Sequence, residues 1–398
     1  MSKDMNLIYI GPFGIASGYG SAATDYIAAL HKAGVHLRIL PPKPLDQLEV
    51  APRYAHLKQF VGPEKNDTQG RNGTHYLVHG IPEACSRIGR ELPEVGPNGR
   101  VKTVALTTWE TDKLPAEYAE GLNRYDAVVV LSEFNRRVFE NTCLKGKVHV
   151  VPHCCDPDWW WKKPRTNVAD SAAPYSFLAI LTWSEQKNPL GLLKAYLTEF
   201  TSKDNVTLRI LTPSWNKGEV TRLVQNLGLY DPPEVVFWKD IHGRLNDEAM
   251  RDLHLSSDCY VSLSRGEGFG LGAFEAMLSG SAVIATDWSG HTDFLRGGPS
   301  VFLVPYQLTP AFVPETISDT VVEGPGGVKL RPVLVNAPTG ISADQNWAEP
   351  DLMAARRAMR KCYEEKLPRG VPRDHGDLGE RLSHATIGKQ FKTILENL

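Results

Sequence analysis

Short apolar runs recur along the chain, each breaking off into glycine or polar residues and followed by stretches with apolar positions three and four apart. That alternation predicts parallel strands joined by helices, an α/β fold. In the first half, Leu7 to Ile10, Val35 to Leu40, Tyr76 to Val78, Lys102 to Leu106, Ala127 to Leu131 and Val148 to Val151 read as strands. A helix with apolar positions Ala22, Ala23, Tyr26, Ile27 and Leu30 follows the first strand and stops at Ala33-Gly34, and another runs through Arg137 and Phe139. The pattern then restarts with a strand from Ser176 to Leu181 and a helix carrying Leu190, Leu193, Leu197 and Phe200, with Pro189 suited to its first position. Leu208 to Leu211, Val235 to Trp238, Tyr260 to Leu263 and Ala282 to Ala285 read as further strands. Helices are expected from Gly272 to Leu278, Asp351 to Glu364 and Ile387 to Leu398.

The two similar halves divide the chain into Rossmann-like domains of residues 1–155 and 156–380, with 381–398 as a helix packing back towards the first. Residues 41–73 lack periodicity and read as a long surface excursion; 305–345, with Gly324-Pro325-Gly326-Gly327, read as a mobile loop. Residues 156–174 read as the connection, their three tryptophans covering a domain surface.

Composition narrows the class. At 398 residues, 42% hydrophobic and 23% charged, the chain suits two full cores of an ordinary globular protein. A net charge of −2 gives no field towards nucleic acid or anionic membrane. The six cysteines form no CxxC pair, so neither a disulfide framework nor a zinc site is expected. No apolar run has the length of a signal peptide core or a membrane span, and the expected location is cytoplasmic.

Two glycine loops carry the candidate chemistry. After the first strand, the loop ending in Gly18-Tyr19-Gly20 fails the GxGxxG spacing. The following strand ends in Leu40-Pro41-Pro42 rather than the acid that would take a ribose, which argues against a nicotinamide cofactor. The second loop, Gly266-Glu267-Gly268-Phe269-Gly270, lies between a strand and a helix start, where free N–H groups can face an anion. Glu267 in the loop and Glu275, expected in the first helical turn, add carboxylates whose natural partners are hydroxyls. Phosphate cradle and carboxylates together suit a nucleotide sugar; the plainer alternative is a helix-start acid and a solvated one. Asp156-Pro157-Asp158 has the form of a metal-binding DxD but falls in the connection, and no metal is expected there. Four consecutive strands of the first half end in polar residues, at the edge where open α/β sheets place ligands.

In this order the segments GYG at Gly18, WET with LP at Trp109 to Pro115, YDAVVVLS at Tyr125 to Ser132, VVPHCCD at Val150 to Asp156, WSEQKNP, EGFGLGAFEAMLSGSAVIAT and NWAEPD at Asn346 to Asp351 resemble a retaining glycosyltransferase of family 4. The resemblance covers most of the chain apart from 41–73 and 305–345. It implies the two-domain GT-B architecture and an E-x7-E pair, with Glu275 on the nucleotide ribose and Glu267 on the transferred sugar. It also implies Lys187 on the diphosphate, with Gly18, Tyr19, Gly268, Phe269, Gly270 and Leu271 around the donor. Glu110 matches a strand-end position beside the reacting sugar, and His79 is a candidate for the acceptor side or else a structural hydrogen-bonding residue.

Two departures stand out: no basic residue precedes Lys187 within Thr182 to Gln186, leaving Arg265 as a possible substitute, and His153-Cys154 replaces the usual Asn-Gly. The implied reaction moves a sugar from a nucleoside diphosphate, UDP before GDP, to an acceptor hydroxyl with retention, without cofactor or metal. A saccharide, a protein or a hydroxylated nucleic-acid base all remain open as acceptor. The competing reading is a nucleotide-sugar binding protein or epimerase of the same fold.

Overall fold

The computed structural model describes residues 5–62, 74–91, 101–142, 144, 146–161, 173–239, 246–311, 322–323, 329–330, 340–342, 344–367 and 377–398. Two six-stranded sheets organise them. The first contains β1 (Asn6–Ile10), β2 (His36–Leu40), β3 (Thr74–His79), β4 (Lys102–Leu106), β5 (Ala127–Val130) and β6 (Val148–Val150) in the order β2-β1-β3-β4-β5-β6. The second contains β7 (Tyr175–Ile180), β8 (Val206–Thr212), β9 (Glu234–Lys239), β10 (Cys259–Ser262), β11 (Ala282–Thr286) and β12 (Val301–Val304) in the order β12-β11-β10-β7-β8-β9. Every pairing in both sheets is parallel. Parallel strands covered on both faces bury all their side chains, which is why they appear in sequence as unbroken apolar runs such as AVVV at β5 and AVIAT at β11, buried throughout.

Chain order reverses between β1 and β3 in the first sheet and between β7 and β10 in the second. Such switch points open a crevice at the carboxyl ends of the strands. The loop ending in Gly18 and Tyr19 follows β1 and His79 ends β3; Lys187 follows β7 and the Gly266–Gly270 loop follows β10. The candidate residues therefore collect at both crevices.

Two expectations change. Residues 41–62 are not only a surface excursion: turns Leu45–Gln47 and Pro52–Phe60 deliver Leu48, Tyr54 and Leu57 into the core. The longer of the two is a 3-10 helix, whose apolar Tyr54, Leu57 and Phe60 recur every three residues and so miss the α-helical period. The loop from 305 begins with the strand Tyr306–Pro310, which pairs antiparallel with Asn346–Pro350; Gly324 to Gly327 lie outside the described residues. In the connection, Trp160 is buried within the short helix Pro157–Trp161 and Trp159 and Trp161 pack partly buried against the same core, while 162–172 lie outside the described residues.

The halves are in direct contact. Trp109, Tyr118 and Phe134 of the first pack in one cluster with Trp288, Trp347 and Ala348 of the second. Polar bonds frame it: Asn346 donates from its backbone and side chain to the two Asp112 carboxylate oxygens, at 2.6 and 2.8 Å, and Thr111 donates to Gln345 at 2.6 Å. The last helix, His384–Glu396, lies along Gly18–Lys32, with Gly388 so close that a Cβ would stand 2.1 Å from the Ala29 carbonyl oxygen. Five cysteines are buried and free, and Cys143 lies outside the described residues. No helix among the described residues is long and apolar enough to cross a membrane.

Candidate active site

Lys187 is held by the turn that precedes its helix. Asn188 takes a left-handed conformation (φ 51°), accepts from Gly191 N–H at 3.1 Å and donates to the Leu263 carbonyl at 3.1 Å. Pro189 then opens the helix Pro189–Glu199, as its fixed φ favours. This leaves Lys187 just outside the helix start, four-fifths buried, its Nζ 2.9 Å from Glu267 Oε2 and 3.6 Å from Glu110 Oε1. Burial works to lower the lysine pKa, but the two carboxylates outweigh it and hold the ammonium above its ordinary range. Two carboxylates from opposite sheets thus share one fixed cation.

Gln186, which the sequence pattern did not single out, completes this cluster. Its Nε2 donates to Glu110 Oε2 at 2.5 Å and to the Gly266 carbonyl at 2.9 Å, tying the end of the first sheet to the glycine loop of the second. A single Gln in an irregular loop carries no sequence signal. Ser132, which ends the YDAVVVLS segment, and Asn135, which carries no signal either, donate to the Gly268 carbonyl, each at 3.3 Å.

Close approach explains the glycines. A Cβ on Gly266 would stand 2.0 Å from the Glu110 carbonyl oxygen, and one on Gly268 would stand 2.1 Å from Thr108 Oγ1. Gly270 has φ 90° and opens the helix Leu271–Leu278, whose start no side chain caps. Its first-turn N–H groups are the kind that receive anions. Phe269 turns into the core against Phe274, Phe294 and His153, so only its backbone is offered to a ligand. Glu267 N–H donates to Ser289 Oγ at 2.9 Å, fixing the loop from behind.

Glu275 corrects its expected place. The helix starts at Leu271, so Glu275 lies beyond the first turn, which contains no acid, and its Oε2 is bonded to His254 Nε2 at 3.1 Å. The left-handed Gly270 turns the chain into the helix one residue earlier than the pattern implied.

In the first loop, Gly18 is exposed with nothing among the described residues within 4 Å of where a Cβ would be, whereas Gly20 has the Ile15 carbonyl oxygen 1.8 Å from that position. Ser17 caps the helix Gly18–Lys32 by accepting from Gly20 N–H. Tyr19 is half-buried, its ring 5.7 Å from His79; burial and the nearby Glu110 push its phenol up. His79 is enclosed: Nδ1 is 2.6 Å from the Tyr9 hydroxyl, and the Tyr9, Tyr19 and Tyr26 rings surround it. Arg265 is engaged elsewhere, with Glu349 at 2.5 Å and Glu185 at 3.1 Å. No metal-holding group of three or more His, Cys, Asp or Glu occurs among the described residues.

Burial pushes His79 down to about 3, aided by His153, and His153 down to about 4 against the opposing pull of Asp25. Both rings stay neutral in the folded protein while the unfolded chain takes up protons near pH 6.5. Stability should therefore hold above pH 6.5 and fall between about 6.5 and 4, by roughly 1.4 kcal/mol per pH unit for each ring. Denaturant melts across that range check this, with the His79→Phe variant showing a shallower decline; a flat profile contradicts it.

Two Rossmann-like sheets meeting at their switch points make the architecture GT-B. Residues 175–318 match the family described as Glycosyl transferases group 1. No curated protein matches the chain. Among solved structures it is similar to HepE of Anabaena in complex with UDP and glucose (14% identity, 99% of this chain and 100% of that one, TM-score 0.60). It is also similar to a sucrose-phosphate synthase of Thermosynechococcus elongatus (14%, 99% and 98%, TM-score 0.62). A third is the pneumococcal O-GlcNAc transferase GtfA in complex with UDP and GlcNAc (11%, 99% and 99%, TM-score 0.60). The matched stretch contains β7, the glycine loop and both glutamates, and this match supports a glycosyltransferase, while the solved structures share the GT-B fold.

Proposed function

We propose that this protein transfers a sugar from a nucleoside diphosphate donor to an acceptor hydroxyl with retention at the anomeric carbon. The observation that carries the reading is the cluster of Lys187, Glu267 and Glu110, assembled from both sheets beside an uncapped helix start. A diphosphate entering there meets the Lys187 ammonium and the N–H groups of Gly270 and Leu271. Its charge takes over the role that Glu267 and Glu110 play for the lysine, which frees the carboxylates for sugar hydroxyls. Glu267 then orients the transferred sugar, Glu110 faces it from the opposite sheet, and Glu275 meets the ribose. The backbone of Gly268 and Phe269 and the open Gly18 and Tyr19 face line the rest of the donor site.

Retention fits a site whose charged groups serve the leaving diphosphate. The acceptor attacks on the leaving-group face, the departing phosphate oxygen takes its proton, and no protein nucleophile is needed. Positioning and charge stabilisation supply the rate. UDP is the working nucleotide, since two of the similar structures hold it. The buried setting of His79 favours its structural role over direct acceptor contact. The domains take the spans 1–155 and 156–380, the first facing the acceptor and the second holding the donor.

Thermal unfolding with UDP, GDP and NAD, followed by UDP release from a panel of UDP-sugars, tests this. UDP or GDP should raise the melting temperature, NAD should not, and one donor should be turned over. Stabilisation without turnover of any donor would instead favour a binding protein; no nucleotide effect would overturn the reading.

A further inference from the structure

His254 lies in the last turn of the helix Asp247–Leu255 and is wholly buried. Its Nε2 is 3.1 Å from Glu275 Oε2. A carboxylate oxygen only accepts, so Nε2 carries the proton. In the neutral ring this leaves Nδ1 without one, and that atom is buried with no hydrogen-bond partner among the described residues. Buried polar atoms are nearly always satisfied, so a ring paired on one side only is an unusual use of core space. The imidazole is also fixed by its neighbours. Trp160, from the short helix between the two halves, meets it edge-on with centroids 6.0 Å apart, and Tyr260 of β10 lies 5.9 Å away on another side. The Tyr260 hydroxyl in turn fills the space beside Gly272, in the first turn of the helix that carries Glu275.

Glu275 keeps 19% of its side-chain surface exposed, and its second oxygen, Oε1, has no hydrogen-bond partner among the described residues. A carboxylate with one oxygen tied and one open is restricted in rotation, and its open oxygen is offered in a fixed direction. We propose that His254 is a positioning residue that orients Glu275 to accept from the ribose hydroxyls of the donor. This inference rests on the donor reading above and goes beyond it in assigning the carboxylate's aim to a buried histidine one helix away. It also gives Trp160 a consequence: the segment joining the halves packs against the group that aims the ribose contact.

The test compares the affinities of UDP and 2′,3′-dideoxy-UDP for the full-length protein, its His254→Phe variant and its His254→Gln variant. Hydrogen bonds to a charged acceptor set the expected wild-type preference for UDP at about tenfold or more. H254F keeps an aromatic ring between Trp160 and Tyr260 but has no N–H. Its UDP affinity should fall until the preference is within about threefold, while dideoxy-UDP affinity stays as in the wild type. H254Q, with an amide N–H, should recover part of the preference. Undiminished preference in H254F overturns the positioning role, and so does equal loss for both ligands, which marks a packing fault. A wild type that binds UDP without preferring it over the dideoxy compound overturns the ribose assignment of Glu275 itself, a different result from either.

Discussion

Replacing Lys187 by Ala should lower turnover by about 10²–10³-fold, the scale of losing one preorganised group on developing charge. The diphosphate leaves with more negative charge than it arrives with, and Lys187 is the cation that the structure fixes against both carboxylates. Removing it also leaves Glu110 and Glu267 facing an anion without a counter-charge, so donor affinity should fall as well. Folding should survive. Glu110 keeps over a third of its side chain exposed and can turn to water, whereas Glu267 keeps 16% and loses its 2.9 Å partner, so the melting temperature should fall while the fold is retained. Lys187→Arg keeps the charge but spreads it over a planar group, and should restore only part of the rate. Steady-state rates with UDP affinity and melting temperature check the set; a K187A rate near wild type contradicts the leaving-group role.

Gly266→Ala should be nearly as damaging although it changes no charge. The added Cβ would stand 2.0 Å from the Glu110 carbonyl oxygen, a backbone atom that cannot swing aside as a side chain does. The glycine loop and the end of β4 must therefore part, pulling apart the Gln186 bridge between Glu110 and Gly266. A displacement near 1 Å at a reacting site costs about 10²-fold in rate. The melting temperature should fall too, because this contact joins the two halves. Gly62→Ala is the control: nothing among the described residues lies within 4 Å of its Cβ position, so rate and stability should stay unchanged. Wild-type rates in G266A would show that the two sheet ends do not need this approach.

The sequence made the sheets legible for a physical reason. Strands such as β5 and β11 are buried on both faces, and burial writes itself as an unbroken apolar run. Strand ends such as Leu131 and Leu263 shifted by a residue because the apolar run outlasts the ladder hydrogen bonds. The glycine loop was readable because close backbone approach leaves glycine as the residue that fits. Residues whose part depends on distant partners were not. Gln186 matters through Glu110, and His254 through Glu275, contacts that span many residues of chain and leave no local period. The strand Asn346–Pro350 was hidden in a different way. It pairs with one partner and docks Trp347 on the other half, so its burial follows the interface and not an alternation along itself.

The place of Glu275 shows how a small boundary error carries chemical weight. As a first-turn acid, Glu275 needs no more than the helix dipole to explain it. One residue deeper and tied to His254, it has a fixed orientation that dipole stabilisation does not require.

Retaining transfer is tested, without knowledge of the acceptor, by proton NMR of the anomeric signals. The protein is incubated with an α-linked UDP-sugar that it turns over, with water as the acceptor, and the first sugar released is observed before its anomers interconvert. The α-anomer should appear first, with the signal lost in the Lys187→Ala variant. Release of the β-anomer first would contradict it.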